Sequence, residues 1–393
     1  MNTIPRAIII GHNYMSRLSL ARALGAIGCD VVDVCIYYGK PNKQLDFYSK
    51  YVSQYKFAKA NESEELITLL LSIKSEVPSV IIPCSDYAAS TVDNHRDILR
   101  AYYYIPGTGI PGEVYHLMNK EVQKGIADSL GIKNAKCWMI DISDDGTYQI
   151  PKDIVYPCFP KASLSVSGGK VGMAKCSCEE ELRNVISDLI KVNCMYVMVE
   201  QYLEIDKECA MIGFSDGENV YIPGYLHLKQ LAHGLHKGVA VAGDLLPNGD
   251  LQPIIDQYAS FVKATHFVGL FDIDFFECHG TYYFGEMNMR IGASCEAYIK
   301  NGFNIPAWML THFVGKTVDN EIPMVTNAIP FVNERMVLLD WSSGYLTYRE
   351  LKNMLNLEIG FLDSHEDPRP MQIFKIKVII LRMRKFISKI LRK

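Results

Sequence analysis

Apolar and polar residues alternate most clearly between residues 270 and 287, where they predict two strands joined by a tight turn. The first expected strand is Leu270–Phe276 and the second is Thr281–Met287. Gly280 supplies the positive φ that a hairpin turn needs. Acidic residues interrupt this otherwise aromatic and apolar pair, so the hairpin carries more than a packing role.

The length of the turn decides which acidic residues face each other. A three-residue loop, His279–Thr281, would place Asp274 opposite Glu286 and Asp272 opposite Asn288, all on one face. A two-residue loop would separate Asp274 from Glu286, because successive side chains of a strand point to opposite faces.

Carboxylates and an amide carbonyl on one face, with Arg290 just beyond, form an oxygen-rich site. This chemistry suits Mg²⁺, which takes a few carboxylates together with phosphate oxygens and waters. The alternative is a solvated strand face that carries ordinary charges.

The chain opens with a strand–helix–strand pattern. Ala7–Gly11 and Val31–Tyr37 are apolar runs, and a helical period covers Ser16–Ile27 between them. The dinucleotide fingerprint is not met, since one glycine stands where three are required. We therefore expect a parallel-sheet domain that lines a cleft. Asp86 follows the buried strand Ser79–Cys84, and we expect it to cap the next helix rather than to face a ligand.

A second informative stretch runs from Tyr156 to Cys178. A strand delivers Lys161, and a small-residue loop with three glycines follows over Ser163–Gly172. Glycines let backbone N–H groups approach phosphate oxygens. It is not a Walker A loop, because Val171 follows Gly169-Lys170. The alternative is a flexible surface hairpin.

The remaining pattern predicts alternating helices and strands. The expected helices are Val114–Leu130, a helix from about Glu179, Ile254–Val268 and Asn301–Val314, and the expected strands are Cys137–Ile142, Met195–Leu203, Glu208–Phe214 and Val220–Tyr225. We expect His227–Lys237 to be a polar loop, in which Lys229, His233, His236 or Lys237 would contact an acceptor substrate.

The tail, Phe374–Lys393, combines eight basic residues and no acidic ones with apolar residues at helical spacing. This pattern is typical of an interfacial helix, so peripheral contact with the inner membrane surface is one interpretation. The other is a helix that packs on the rest of the chain.

Composition narrows the class of protein. The chain has 393 residues and a net charge of −4, which argues against bulk nucleic-acid binding. Eleven cysteines without a framework, and no expected signal peptide or membrane span, favour a reducing cytoplasm. A monomer or a homodimer is expected.

In their order along the chain, these motifs resemble the ATP-grasp superfamily over about residues 1–315. They are the βαβ opening, Asn119-Lys120, Lys161 with its glycine loop, Glu200–Leu203, and Asp274 twelve residues before the E-x-N-x-R motif that starts at Glu286. The last motif is the most specific. It is similar to that of carboxylate–amine ligases, including D-aspartate ligase-like enzymes and predicted ATP-grasp carboligases.

The resemblance implies a fold of mixed class, α/β followed by α+β. An N-terminal parallel-sheet (pre-ATP-grasp) domain would cover residues 1–112. The two ATP-grasp subdomains would cover 113–203, with the glycine-rich lid, and 204–315, with the metal site. A C-terminal extension would cover 316–393.

The resemblance also implies roles for individual residues. The nucleotide contacts would be Lys120, Lys161, Ser167, Gly168, Gly169, Lys170, Glu200, Gln201, Tyr202, Leu203 and Glu208. Asp274, Glu286 and Asn288 would hold Mg²⁺, with Mn²⁺ as an alternative. Arg290 and Lys161 would act in catalysis.

The implied reaction joins a small-molecule carboxylate and an amine. ATP would phosphorylate the carboxylate, the amine would attack the acyl-phosphate, and ADP and phosphate would leave. Two other hypotheses are a nucleotide-sugar transferase, based on the Asp272-Ile-Asp274 triplet, and a non-catalytic ATP-binding regulator.

Overall fold

The computed structural model describes residues 5–77, 79–163, 173–233, 239–313, 322–356 and 360–391. Three β-sheets organise these residues, and each sheet packs against its own helices. No helix within these ranges combines the length and the apolarity that crossing a membrane requires. All eleven cysteines are free.

The first sheet is parallel, with the strand order β3-β2-β1-β4-β5. Its strands are β1 (Arg6–Gly11), β2 (Val31–Tyr37), β3 (Val52–Lys59), β4 (Ser79–Pro83) and β5 (Tyr103–Tyr104). Its helices are α1 (Tyr14–Gly25), α2 (Ser63–Ser72), α3 (Asp86–Asn94) and α4 (Arg96–Leu99). Because helices cover both faces, β1 is buried along its whole length, which explains its continuous apolar run.

The second sheet is small and antiparallel. Its strands are β6 (Cys137–Asp141), β7 (Cys158–Ala162) and β8 (Tyr196–Gln201), in the order β6-β8-β7. Helices α5 (Glu113–Leu117) and α6 (Lys120–Ser129) precede this sheet in the chain and pack in the core of the large sheet described below, and α7 (Glu179–Ile190) packs against the small sheet. Leu182, Ile186 and Leu189 form the buried face of α7, at the spacing of an amphipathic helix.

The single helix expected over Val114–Leu130 is wrong. The chain breaks at Met118-Asn119, and α6 begins at Lys120 because the Asn119 side chain accepts a hydrogen bond from the backbone N–H of Glu121. Asparagine is a preferred N-cap residue, so this break has a local cause.

The third sheet is antiparallel, with the order β14-β13-β9-β11-β12-β15 and with β10 beside β9. Its strands are β9 (Lys207–Ser215), β10 (Val220–Tyr221), β11 (Tyr225–Leu231), β12 (Ala240–Leu246), β13 (Gly269–Cys278), β14 (Thr281–Asn288) and β15 (Ile329–Val332). The following helices complete the chain: α8 (Gln252–Ala264), α9 (Cys295–Ile299), α10 (Ile305–Phe313), α11 (Glu334–Ser343), α12 (Tyr348–Leu355) and α13 (Arg369–Leu391).

The two faces of this large sheet join different parts of the chain. One face contributes Ala210 and Ile212 to a core shared with α1, α9 and α10. The other face contributes Met211 and Ile273 to a core shared with α8 and α6. The large sheet therefore lies between the N-terminal helices and α8, and the acidic side chains of β13 point to the N-terminal side.

The polar loop expected at His227–Lys237 is partly wrong, since residues 225–231 form β11, which pairs with β9 and β12. Leu226 and Leu228 face the core shared with α1, and the polar residues between them face the other side. The domain bounds remain a prediction. β15, from the expected C-terminal extension, pairs with β12 of the large sheet.

The β13–β14 hairpin reaches the expected register by an unexpected route. Its loop is two residues long, His279-Gly280, and both residues have positive φ (50° and 74°), so the two-residue loop is the alternative observed. Asp274 nevertheless pairs with Glu286 and Asp272 with Asn288.

A β-bulge restores this register. Phe275 pairs with Phe284 and the next pair is Asp274 with Glu286, so Gly285 is the extra residue on β14. A Cβ atom at Gly285 would lie 2.7 Å from the Asp274 carbonyl oxygen and 2.8 Å from the Phe276 ring. The bulge therefore requires glycine, and it sets the acidic residues opposite each other.

We predict that Gly285→Ala lowers the free energy of unfolding by about 1–3 kcal/mol, the usual cost of forcing extra atoms into a packed site. Denaturant unfolding measures this change. Gly125→Ala is the matched control, because Gly125 lies in α6 with open space around its Cβ position. That variant should be unchanged or more stable by up to about 1 kcal/mol. Equal stability of Gly285→Ala and the parent protein would contradict the role of the bulge.

Candidate active site

Three carboxylates of the hairpin lie together in a largely buried position. Asp272 is 8% exposed, and its Oδ1 atom has no hydrogen-bond partner among the described residues. Burial raises the pKa of Asp272 to about 6, although the Arg290 guanidinium acts in the opposite direction. Burial, then the charges of Asp272 and Glu286, raise the pKa of Asp274 well above its usual value. Burial in this position therefore disfavours the ionised form of both aspartates.

One basic side chain contacts this cluster, and a second contacts the neighbouring Asn288. Lys120 Nζ lies 2.6 Å from Glu286 Oε2. Burial would raise the pKa of Glu286, but Lys120 and Lys161 outweigh it and hold this pKa below its usual value. Arg290 Nη2 donates to Asn288 Oδ1 at 3.0 Å. Ionised Glu286 is thus the carboxylate that the lysines stabilise.

A second ion-pair group adjoins the first. Glu200, at the end of β8, lies 2.6 Å from Lys161 of β7 and 3.2 Å from Lys124 of α6. Burial alone would raise the pKa of Glu200, and these two lysines lower it below its usual value. Since Lys161 also acts on Glu286, the two groups form one continuous charged surface.

Helix α6 is attached to the hairpin by one buried side chain. Gln123 donates to the Met287 carbonyl oxygen and accepts from the Met287 N–H, both at 2.8 Å. The backbone N–H of Lys120 donates to the Ser163 carbonyl oxygen at 3.3 Å. The start of α6 therefore joins β14 to the end of β7, where the glycine-rich segment begins.

Sequence reasoning missed Gln123 and Lys124. Lys124 follows Lys120 by four residues, so both lie on one face of a helix, and this spacing was the available signal. No sequence signal pointed to Gln123, because its hydrogen-bond partners are backbone atoms of a distant strand.

The N-terminal sheet contributes Asp86. The expectation that Asp86 caps α3 is wrong, because the Ser85 side chain is the cap and accepts from the Ala88 N–H. Asp86 Oδ1 instead accepts from Arg290 Nε at 2.9 Å. His12 is nearby, and burial followed by the charges of Arg290 and Arg17 lowers its pKa. The carboxyl ends of β1 and β4 thus form one wall of the cleft.

Two backbone N–H groups of the segment after Glu200 form hydrogen bonds within the protein. The N–H of Gln201 donates to the Lys136 carbonyl oxygen, and that of Tyr202 donates to the Pro157 carbonyl oxygen. Glu208 of β9 is half-buried, and its charge contributes to the raised pKa of Asp274.

Other expected residues are not brought into this cluster or lie outside the described residues. The glycine-loop residues Ser167, Gly168, Gly169 and Lys170 lie outside them, as do His236 and Lys237. Lys229 pairs with Asp244. His233 Nδ1 lies 2.9 Å from Asp340 Oδ2 and the His233 side chain is half exposed.

Within the described residues, no group of three or more His, Cys, Asp or Glu side chains is arranged to hold a metal ion. The donor set at the hairpin is different, with two carboxylates and the Asn288 amide. It is incomplete by itself and suits an ion that also takes ligands from a phosphate and water. Among the described residues Asp272 Oδ1 has no hydrogen-bond partner, and a nearby positive charge would lower the raised pKa of Asp274.

We predict that Asp274→Asn raises the Tm of the ligand-free protein by a few degrees at pH 8. The folded pKa of Asp274 lies above its unfolded value, so the ionised form destabilises the fold. This penalty disappears as the pH falls through the folded pKa, and the two proteins should converge near pH 4. Thermal unfolding across this pH range measures the effect.

Asp145→Asn is the control, because hydrogen bonds from Thr147 lower the pKa of exposed Asp145. That substitution should not raise the Tm at any pH. A lower Tm for Asp274→Asn at pH 8 would contradict the buried-charge argument.

Known proteins are similar to this chain in one sequence segment and in fold. Residues 126–232 match the family model described as the D-Ala–D-Ala ligase C-terminus. N5-carboxyaminoimidazole synthetase from Staphylococcus aureus is similar in structure, with a TM-score of 0.63 and 17% identity over 87% of this chain and 86% of that one.

Two further structures show the same fold. The biotin carboxylase domain of 2-oxoglutarate carboxylase from Hydrogenobacter thermophilus has a TM-score of 0.63 and 19% identity, over 81% of this chain and 71% of that one. L-amino acid ligase from Bacillus licheniformis has a TM-score of 0.59 and 16% identity, over 79% of this chain and 74% of that one. The parallel N-terminal sheet and the two antiparallel sheets give this chain the fold of these structures, the ATP-grasp fold, and residues 126–232 are similar to the C-terminus of D-Ala–D-Ala ligase.

Proposed function

We propose that this protein is an ATP-dependent carboxylate–amine ligase that forms an amide or peptide bond through an acyl-phosphate. The observation that carries the proposal is the convergence of Lys120, Lys161 and Arg290 on the acidic face of the β13–β14 hairpin. Basic groups and oxygen ligands at one place are what transfer of a phosphoryl group requires, since that reaction depends on positioning and on neutralising charge.

The nucleotide would lie between the small sheet and the large sheet. Lys120 and Lys161 would contact its phosphates, and the carbonyl oxygens after Glu200 would contact the adenine edge. Glu208 would reach the ribose. The glycine-loop residues Ser167, Gly168, Gly169 and Lys170 would cover the phosphates, which remains a prediction.

A magnesium ion fits the donor set at the hairpin. Asp274, Glu286 and Asn288 would hold it, and Mn²⁺ could replace it, because both accept oxygen ligands. Such an ion would neutralise phosphate charge during transfer. The similar biotin carboxylase domain from Hydrogenobacter thermophilus was solved in complex with MgADP, which supports magnesium as the ion in this proposal.

The reaction needs activation of the acid. A carboxylate attacks the terminal phosphorus of ATP, ADP leaves, and the amine then displaces phosphate from the acyl-phosphate. Arg290 would stabilise the oxyanion that forms during that attack, and its contacts with Asn288 and Asp86 beside the hairpin support this role. The partners would be a small carboxylic acid and an amine.

The neighbouring structures support this class of reaction without fixing the substrates. A D-Ala–D-Ala ligase segment and an L-amino acid ligase fold make amino acids and dipeptides the first substrates to test. The monomer or homodimer and the membrane contact expected for Phe374–Lys393 are separate from this chemistry and remain predictions.

A screen for phosphate release tests the proposal, with MgATP and pairs drawn from amino acids, dipeptides and nucleotide-linked sugars. A ligase releases phosphate only when both an acid and an amine are present. Hydroxylamine in place of the amine should trap the acyl-phosphate as a hydroxamate. Stronger thermal stabilisation by UDP-sugars than by ATP would favour the transferase hypothesis. ATP binding without turnover across the screen would favour the regulator hypothesis.

We predict that Glu286→Gln lowers substrate-dependent phosphate release by at least about 100-fold, as expected when an electrostatic group of a reaction site is lost. Glu277→Gln is the matched control. Glu277 belongs to the same hairpin but pairs with Lys207 on the opposite face. It should keep the parent rate. Full activity of Glu286→Gln would contradict the metal assignment.

A further inference from the structure

Helix α13 has apolar residues on two opposite sides. Met371, Phe374 and Val378 are buried in the core that includes Met336 and Val337 of α11. Successive helical residues are about 100° apart, so these three lie within about 60° of each other around the axis. They define the side on which α13 is fixed to the rest of the chain.

The other apolar side has no cover among the described residues. We call it the outer stripe, and it consists of Ile376, Ile379, Ile380, Met383 and Ile387. These side chains are between 42% and 58% exposed. Their mean direction is about 160° from the buried side. Single exposed apolar residues are ordinary, but a contiguous row of large ones marks an interaction surface.

Basic residues border the outer stripe on both sides. By helical position, Lys377 and Arg384 lie along one edge and Lys375 and Arg382 along the other. Residues 369–393 contain no acidic side chain. Arg382 also stacks on Trp341 of α11, with its guanidinium carbon 3.6 Å from the ring centroid. This contact fixes one basic edge in place.

We propose that the outer stripe binds the chain to an anionic membrane surface, with α13 lying in the plane of that surface. The apolar row would enter the boundary between headgroups and acyl chains, and the basic edges would meet lipid phosphates. Long basic side chains suit this position, because their stems are apolar and their charges reach the headgroups.

Charge selects this partner over a second copy of the chain. Two outer stripes placed face to face would bring four basic edges together, and no acidic residue of α13 would compensate them. An anionic membrane surface provides acyl chains for the apolar stripe and negatively charged headgroups for the basic edges beside it.

Sedimentation with vesicles tests this inference on the full chain. We expect the protein to sediment with vesicles of equimolar phosphatidylglycerol and phosphatidylcholine, and to remain in solution with phosphatidylcholine alone. High salt should release it, since screening weakens the contacts of the basic edges.

Two double variants separate the two contributions. Ile379→Asp with Met383→Asp should reduce binding at least ten-fold by making the stripe polar. Lys377→Ala with Arg384→Ala should reduce binding about thirty-fold, since each basic residue contributes roughly a five-fold factor near an anionic surface. Ile98→Asp with Ile110→Asp is the control, because these residues are 53% and 61% exposed elsewhere. It should bind as the parent does.

Three outcomes would overturn the inference. If the protein sediments with neither vesicle, the outer stripe does not bind membranes and a protein partner becomes the better explanation. If it binds both vesicles equally, the basic edges do not contribute to binding. A parent dimer that becomes a monomer in light scattering when the stripe is made polar, without vesicle binding, would assign the stripe to a second copy. None of these measurements uses the ligase reaction, so they do not depend on the proposed function.

Discussion

Carboxylates repel one another when they are withdrawn from water, and this constraint governs the arrangement of the whole cleft. Asp272, Asp274 and Glu286 share one face of a hairpin that is packed between two layers of the fold. Such a cluster persists only where basic groups reach it or where a cation is available. The basic groups come from three separate places: α6 brings lysines, β7 brings Lys161, and Arg290 follows β14. The sheets and helices are placed so that these charges meet.

The pairing of Asp274 with Glu286 could be predicted from the sequence, but the bulge that produces this pairing could not. Alternate side chains of a strand point to the same face. The two acids could therefore hold one metal ion only if Asp274 paired with Glu286. Sequence alone could not show that a two-residue turn and a bulge at Gly285 would produce that pairing, because glycine at this position has several structural meanings. The physical reason is visible only in the Cβ contacts, where any larger residue would meet the backbone of β13.

Residues that act across the fold were harder to anticipate than residues within a motif. Lys120, Lys161 and Arg290 belong to recognisable patterns along the chain. The roles of Gln123 and Asp86 depend on strands more than 160 residues away, and no local period reveals such contacts. The tail illustrates the same limit. Its amphipathic pattern indicated one apolar face, whereas the structure divides the apolar residues between a docked side and an outer side.

The ion pairs of the proposed site have a consequence for how it would bind a nucleotide. Lys120 and Lys161 are engaged with Glu286 and Glu200, so phosphate oxygens must compete with these carboxylates for the same lysines. A metal ion alone must in turn compete with Lys120 for Glu286. If the metal and the triphosphate arrive together, the lysine can move to a phosphate while the carboxylate gains the metal. Neither charge is then left unpaired in a partly buried site. If this chain binds a metal and ATP as proposed, charge balance would favour the metal–nucleotide complex over either ligand alone, and the two binding events would be mutually dependent.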